Sequence, residues 1–269
     1  MEKFQLSVLL KIKGIGSASG LLYHKDKLYI ISDNSTFLYE YSLTEEKLNK
    51  IALVENPQDN LSKKDKFDFE VITLHNNELH IFGSGSTENR NFKFIYDTTS
   101  TTVVIEDLKS LYQNIKSNLN ITDEELNIEG AFFGNEKLYL FQRGNGANSK
   151  NGVIILDKTI EFIPIVLPKI KHVEATFTDA ILIENKIYFL AAAEDTTSTY
   201  EDGEVLGSII GCIDFKTLKL DFTYQISNKN KIEGLTLHKK TATHIELLLC
   251  EDNDTDILDT DIYSLVLKR

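Results

Sequence analysis

The chain has 269 residues, 42% of them hydrophobic, and a formal net charge of −12. That is enough apolar material for a large core, and the wrong sign for general nucleic-acid binding, where a positive footprint supplies the affinity. No run of about 18 apolar residues occurs, so no membrane-spanning helix is expected; the apolar stretch Phe4 to Leu10 is short, is broken by Lys11 and lacks a small-residue cleavage site, so no signal peptide and a cytoplasmic location are expected.

In chain order, Phe4 to Ile12 reads as a strand with no hairpin partner of its own. A unit of four strands follows, near 20–24, 27–32, 36–42 and 48–54. Similar units run at 69–74, 78–83, 92–97 and 101–105, at 129–133, 137–142, 152–156 and 159–166, and at 179–183, 186–192, 207–214 and 218–225. A last unit supplies 233–237, 244–250 and 260–267 and is one strand short. Apolar positions with helical spacing at Leu108, Leu111, Tyr112 and Ile115 predict a helix over 106–119, and Thr122 with Glu125 three residues later is a capping-box pattern.

The units are copies of one another. Ser19, Glu70, Glu129 and Thr178 each stand nine positions before an apolar residue of the next strand (Leu28, Leu79, Leu138 and Ile187), and Glu233 opens a longer fifth copy reaching Ile245. Self-similarity at a period of roughly 50 to 60 residues marks a repeat architecture. The reading is an all-β, five-bladed β-propeller with four strands per blade. It forms one domain over 1–269, closed by the N-terminal strand completing the last blade, with one helical insert between blades two and three. Cys212 and Cys250 lack metal-site spacing and read as small buried hydrophobes, with a bridge left open, and none of the six histidines has zinc-ligand spacing.

In such a fold the first strand of each blade lines a central channel, so Ser19, Glu70, Glu129, Thr178 and Glu233 should ring its axis. Three carboxylates facing one another repel and are costly to bury. A cation resolves both problems, and a set of oxygen donors alone favours calcium over zinc. Around the same face come Asp33 and Asn34, Ser84 to Arg90, Arg143 to Asn145, Glu194 and Asp195, and Glu251 to Asp254. Arg90 and Arg143 are suited to gripping a phosphate or carboxylate, with Ser84, Ser86, Asn145 and Asp195 as further binding groups, and Asp33 or Glu194 could position water.

The order Ser, Glu, Glu, Thr, Glu at the blade starts resembles the calcium-activated nucleotidases (soluble apyrases). So do the run from Ser19 to Asp33, the Glu194-Asp195 pair, the helical insert and Phe141-Gln142-Arg143. The resemblance implies a five-bladed propeller with calcium held in the channel and a phosphate-anhydride substrate. That family also carries an Asp-x-Asp stretch after its N-terminal strand, where this chain has Lys11 to Ser17 without a carboxylate, and tryptophans, of which this chain has none. Two functions are therefore expected: a calcium-dependent hydrolase of phosphate esters or anhydrides acting on a small anionic substrate, or a non-catalytic propeller in which calcium is structural and the same face binds a small ligand or a partner protein.

Overall fold

The computed structural model describes residues 3–146, 148, 150–198, 203–252 and 257–269. Strand β1 (Phe4–Lys13) precedes blade one, made of β2 (Ala18–His24), β3 (Lys27–Ser32), β4 (Phe37–Ser42) and β5 (Lys47–Ala52). Blade two is β6 (Phe69–His75), β7 (Glu78–Gly83), β8 (Phe92–Asp97) and β9 (Val103–Asp107), followed by helix α1 (Lys109–Leu119). Blade three is β10 (Ile128–Gly134), β11 (Lys137–Gln142), β12 (Gly152–Leu156) and β13 (Ile160–Pro164). A two-stranded hairpin, β14 (Lys169–Ile170) and β15 (Val173–Glu174), leads into blade four: β16 (Thr176–Ile183), β17 (Lys186–Asp195), β18 (Glu204–Asp214) and β19 (Leu220–Ser227). Blade five contributes β20 (Lys231–Lys240), β21 (His244–Asp252) and β22 (Asp259–Lys268), and β1 pairs antiparallel with β22 as its fourth strand.

The result is the expected five-bladed propeller, all β among the described residues apart from α1 and two short 3-10 turns. Each innermost strand packs against the innermost strands of both neighbouring blades, which closes a ring of β2, β6, β10, β16 and β20 around the axis. The core lies in five apolar clusters, one at each blade-to-blade interface. This follows from the sequence pattern. A blade is apolar on both faces, so it is stable only between two others, and burial of those faces at about 25 cal/mol per Å2 is the main favourable contribution.

Three details differ from the sequence reading. Helix α1 starts at Lys109 rather than 106, because Glu106 and Asp107 extend β9 and the Asp107 carboxylate accepts the Lys109 N–H at 2.6 Å. Innermost strands β2, β16 and β20 start at Ala18, Thr176 and Lys231, two or three residues early, because each runs through an irregularity that breaks the period-two pattern used to find it. The β14–β15 hairpin was not expected; two residues per strand is too short for a periodic signal. Both cysteines are free and buried, and among the described residues no helix is long and apolar enough to cross a membrane.

Candidate functional site at the mouth of the channel

The five aligned residues occupy one structural position. In every innermost strand the pairing register slips at that residue: Ser19, Glu70, Glu129, Thr178 and Glu233 each fall between two paired neighbours and have no partner of their own. Each is the extra residue of a β-bulge, a device that re-aims a side chain and bends its strand. Close approach of the strands beside the bulge explains the glycines that follow it. A Cβ on Gly130 would lie 2.9 Å from the Ala180 nitrogen, and one on Gly234 2.7 Å from the Leu21 nitrogen.

The bulge also turns the carbonyl of the preceding residue away from its own blade. In blades one and four the ring hydroxyl caps the equivalent carbonyl of the next blade: Ser19 donates to the Phe69 carbonyl, and Thr178 to the Ile232 carbonyl at 2.8 Å. The Cys250 thiol reaches the Ala18 carbonyl at 3.6 Å. Where the ring residue is a glutamate this donor is missing, and among the described residues no side chain caps the carbonyls of Ile128 or Phe177. Beside the ring, the buried Asp179 carboxylate accepts the N–H groups of Ala180 and Leu235, both at 2.7 Å, and staples blade four to blade five.

Two residues before each ring position stands a second polar set: Ser17, Asp68, Asn127, Thr176 and Lys231. Asp68, Asn127, Thr176 and Lys231 link the ring to polar and charged side chains from the loops. Arg143 is buried, with one guanidinium nitrogen 3.1 Å from Glu129 Oε1, the other 2.6 Å from Glu194 Oε2, and Nε donating to Thr176 Oγ1 at 3.3 Å. Lys231 Nζ lies 2.9 Å from Glu233 and 3.5 Å from Asp252. Arg90 donates to Asp68 at 2.8 Å and to Ser86 at 2.7 Å, while Ser84 donates to Asp68 at 2.5 Å. Lys66 pairs with Asp33.

This network holds seven carboxylates (Asp33, Asp68, Glu70, Glu129, Glu194, Glu233 and Asp252) against four cations, Lys66, Arg90, Arg143 and Lys231. The imbalance is uneven. Burial pushes the Glu194 carboxyl up, but Arg143 and Lys231 outweigh it and hold the group below its ordinary value. Burial drives Glu233 well above the carboxylate range despite Lys231. Burial also raises Glu129, with Arg143 and Lys231 opposing. Glu70 is pushed well up, first by burial and then by the Glu129, Asp68 and Glu233 charges. Its side chain keeps some exposure, yet among the described residues it forms no hydrogen bond or ion pair, and Lys66 acts on it only at longer range. Glu129 is 2% exposed, and its Oε2 has no hydrogen-bond partner. Asp33 Oδ1 is likewise buried without a partner, and burial and Asp252 raise this carboxyl to about 6 against the pull of Lys66.

The donor set fits a cation in part. Glu70, the free oxygen of Glu129 and the uncapped carbonyls of Ile128 and Phe177 are oxygens of the kind that hard cations take. However, among the described residues no three His, Cys, Asp or Glu side chains lie close enough together to hold a metal by themselves. Water and backbone would have to complete any shell.

Of the other residues singled out in the sequence, Ser84, Ser86, Arg90, Arg143, Glu194 and Asp33 all join this network. Both arginines are committed to internal carboxylates. Asn145 sits at its edge, its Oδ1 accepting from Asn127 at 3.4 Å. Asp195 points elsewhere and pairs with exposed His172 at 3.0 Å. Asn253 and Asp254 lie outside the described residues. Sequence reasoning missed Lys66, Asp68, Asp179 and Lys231 as site residues.

No curated protein matches the chain. Among solved structures, the glutaminyl cyclase of Myxococcus xanthus is similar at a TM-score of 0.54 and 9% identity, covering 98% of this chain and 97% of that one. The WD40 repeats of RRP9 are similar at a TM-score of 0.46 and 8% identity, over 98% of this chain and 100% of that one. At such identities the first likeness shows the propeller fold alone. Residues 14–267 match a family of unknown function (DUF6929), and the chain belongs to that family.

Proposed function

We propose that this propeller is a cation-dependent binding protein. Its hub takes a divalent cation, calcium by its oxygen donors, on the side of the channel shared by blades two, three and four. The observation that carries this reading is the buried, unpartnered Oε2 of Glu129 beside the unpaired carboxyl of Glu70. A buried polar atom without a partner costs about 1–3 kcal/mol, more when charged; a cation would remove that cost at Glu129 and offset the carboxylate repulsion at Glu70. The hydroxyls of blades one and four cap the neighbouring carbonyls, and the pattern lapses where these two glutamates stand.

A hydrolase is the second reading, favoured by Asp33. A carboxyl raised to about 6 at the channel mouth has the basicity needed to accept a proton from water near neutrality. A phosphate ester or anhydride would then be drawn by the bound cation, because Arg90 and Arg143 are already neutralised.

The test is thermal unfolding in EGTA and in millimolar calcium, with phosphate release from a nucleoside diphosphate followed in parallel. Calcium at a hundred times its Kd adds about 2.7 kcal/mol, and the gain should vanish in both Glu70→Gln and Glu129→Gln. Phosphate release abolished by Asp33→Asn would support the hydrolase. No response of the wild type to calcium, or a wild-type gain kept in both variants, would remove the cation from the hub.

A further inference from the structure

The opposite face of the propeller carries a groove of ≈ 730 Å3, walled by His75 of blade two and by Phe133, Gly134, Leu138 and Leu156 of blade three. It opens where the repeat departs from its own pattern. Five residues after the ring position, the five blades carry His24, His75, Gly134, Ile183 and His238, so blade three alone presents no side chain there.

The wall beside Gly134 is aromatic. The half-buried rings of His75 and Phe133 stack at 4.2 Å between centroids and 22° between planes. Behind them His80, only 5% exposed, packs at 5.1 Å from Phe133 and 6.0 Å from His75. Neither ring nitrogen of His80 has a hydrogen-bond partner, and Glu78 stands 3.7 Å from Nε2, beyond hydrogen-bonding distance. Burial, helped by Lys93, lowers this imidazole to about 4, so near neutrality it carries one unused donor and one unused acceptor. At the rim Lys137 and Asp157 neutralise each other at 3.2 Å.

We propose that this groove is a second binding site, for a small neutral planar heteroaromatic ligand that packs against the His75–Phe133 pair. Rings prefer offset or edge-on contact with other rings, and the aliphatic surface of Leu138 and Leu156 takes the rest of an apolar ring face. The polar rim suits a ring edge bearing nitrogen, while its charged side chains, Glu136 and Asp157 against Lys137 and Lys158, sum to no net pull on an ion. An aliphatic molecule of equal size would lose the aromatic contacts and keep only the burial. The site is independent of the hub and of any cation there.

The experiment is a titration of the full chain with benzimidazole, reading the histidine ring carbon–proton signals by NMR, with cyclohexylmethanol as the aliphatic control. Benzimidazole should shift the His75 and His80 signals to saturation in the millimolar range. Phe133→Leu, which keeps apolar volume and removes the ring, should weaken binding about tenfold, in line with the cost of losing one stacking partner, whereas Phe133→Tyr should retain it. A His75 signal that does not move, equal shifts with cyclohexylmethanol, or wild-type affinity in Phe133→Leu would each overturn the proposal.

Discussion

Arg143→Met tests whether the hub is held together by charge. Arg143 is 4% exposed and belongs to blade three through Glu129, while Glu194 and Thr176 tie it to blade four. Removing it leaves two buried carboxylates facing a methionine, which replaces the aliphatic stem but not the guanidinium. Breaking a buried pair from one side costs about 3–5 kcal/mol. The cost should not double for two pairs, because Glu129 keeps the Asn127 amide at 2.7 Å and Glu194 keeps the Gly203 N–H at 2.8 Å. For a chain of this size each kcal/mol moves the Tm by roughly 2–4 °C, so a fall of about 6–20 °C is expected. Urea unfolding followed by circular dichroism gives the free energy directly. Adding Glu129→Gln and Glu194→Gln to Arg143→Met should recover at least half of the loss, since neutral amides need no counter-charge. A loss under about 1 kcal/mol in the single variant, or no recovery in the triple variant, would refute the view that these ions depend on one another.

Two further outcomes follow from the same network. Asp33 has its folded pKa raised from 3.8 to about 6, so the folded chain binds a proton that the unfolded chain does not. The sign is therefore the reverse of the usual carboxylate: stability is gained as pH falls through 6 toward 4 and is lost above 6. Asp33→Asn should be more stable than wild type at pH 7, by up to roughly 3 kcal/mol, with the gap closing by pH 4 in urea titrations; a gap that does not change with pH would contradict the raised carboxyl. Thr178→Val removes the cap on the Ile232 carbonyl at constant shape and should cost about 1–3 kcal/mol, whereas Thr178→Ser should melt close to wild type. Equal melting of all three proteins would show that the inter-blade cap contributes nothing.

Much of this architecture can be read by counting. A constant nine-residue interval from Ser19, Glu70, Glu129 and Thr178 to the next strand survives because a hairpin fixes its own register. The unpaired N-terminal strand then has one place to go, beside β22. The charge network was less legible, for two reasons. Asp68 and Lys231 stand two residues before their ring glutamates, where the aligned set is uniformly polar and could have been noticed; the bulge between them and the regular strand hides it from a period-two search. Lys66 comes from the long connection between β5 and β6, which lies outside the repeated strands and so outside any alignment of the blades. Arg143 could be placed at the right end of the propeller, but no local pattern tells whether a guanidinium meets a ligand or two carboxylates of its own chain.

Five blades built on one strand pattern make the departures informative. A ring of hydroxyls alone could cap every inner carbonyl and tie each blade to the next, as Ser19 and Thr178 do. Substituting glutamate at three of five positions gives up those caps and adds buried charge, a combination that weakens a hub unless something compensates. Arg143 and Lys231 compensate Glu129 and Glu233 in part; Glu70 has no ion pair in the described network and feels only the longer-range charge of Lys66. Structure alone would favour a serine or threonine at that position. A carboxyl retained there, next to another whose second oxygen is unused, is the kind of local cost that protein folds carry at sites of function, and it is why the hub outranks the better-paired loops around it.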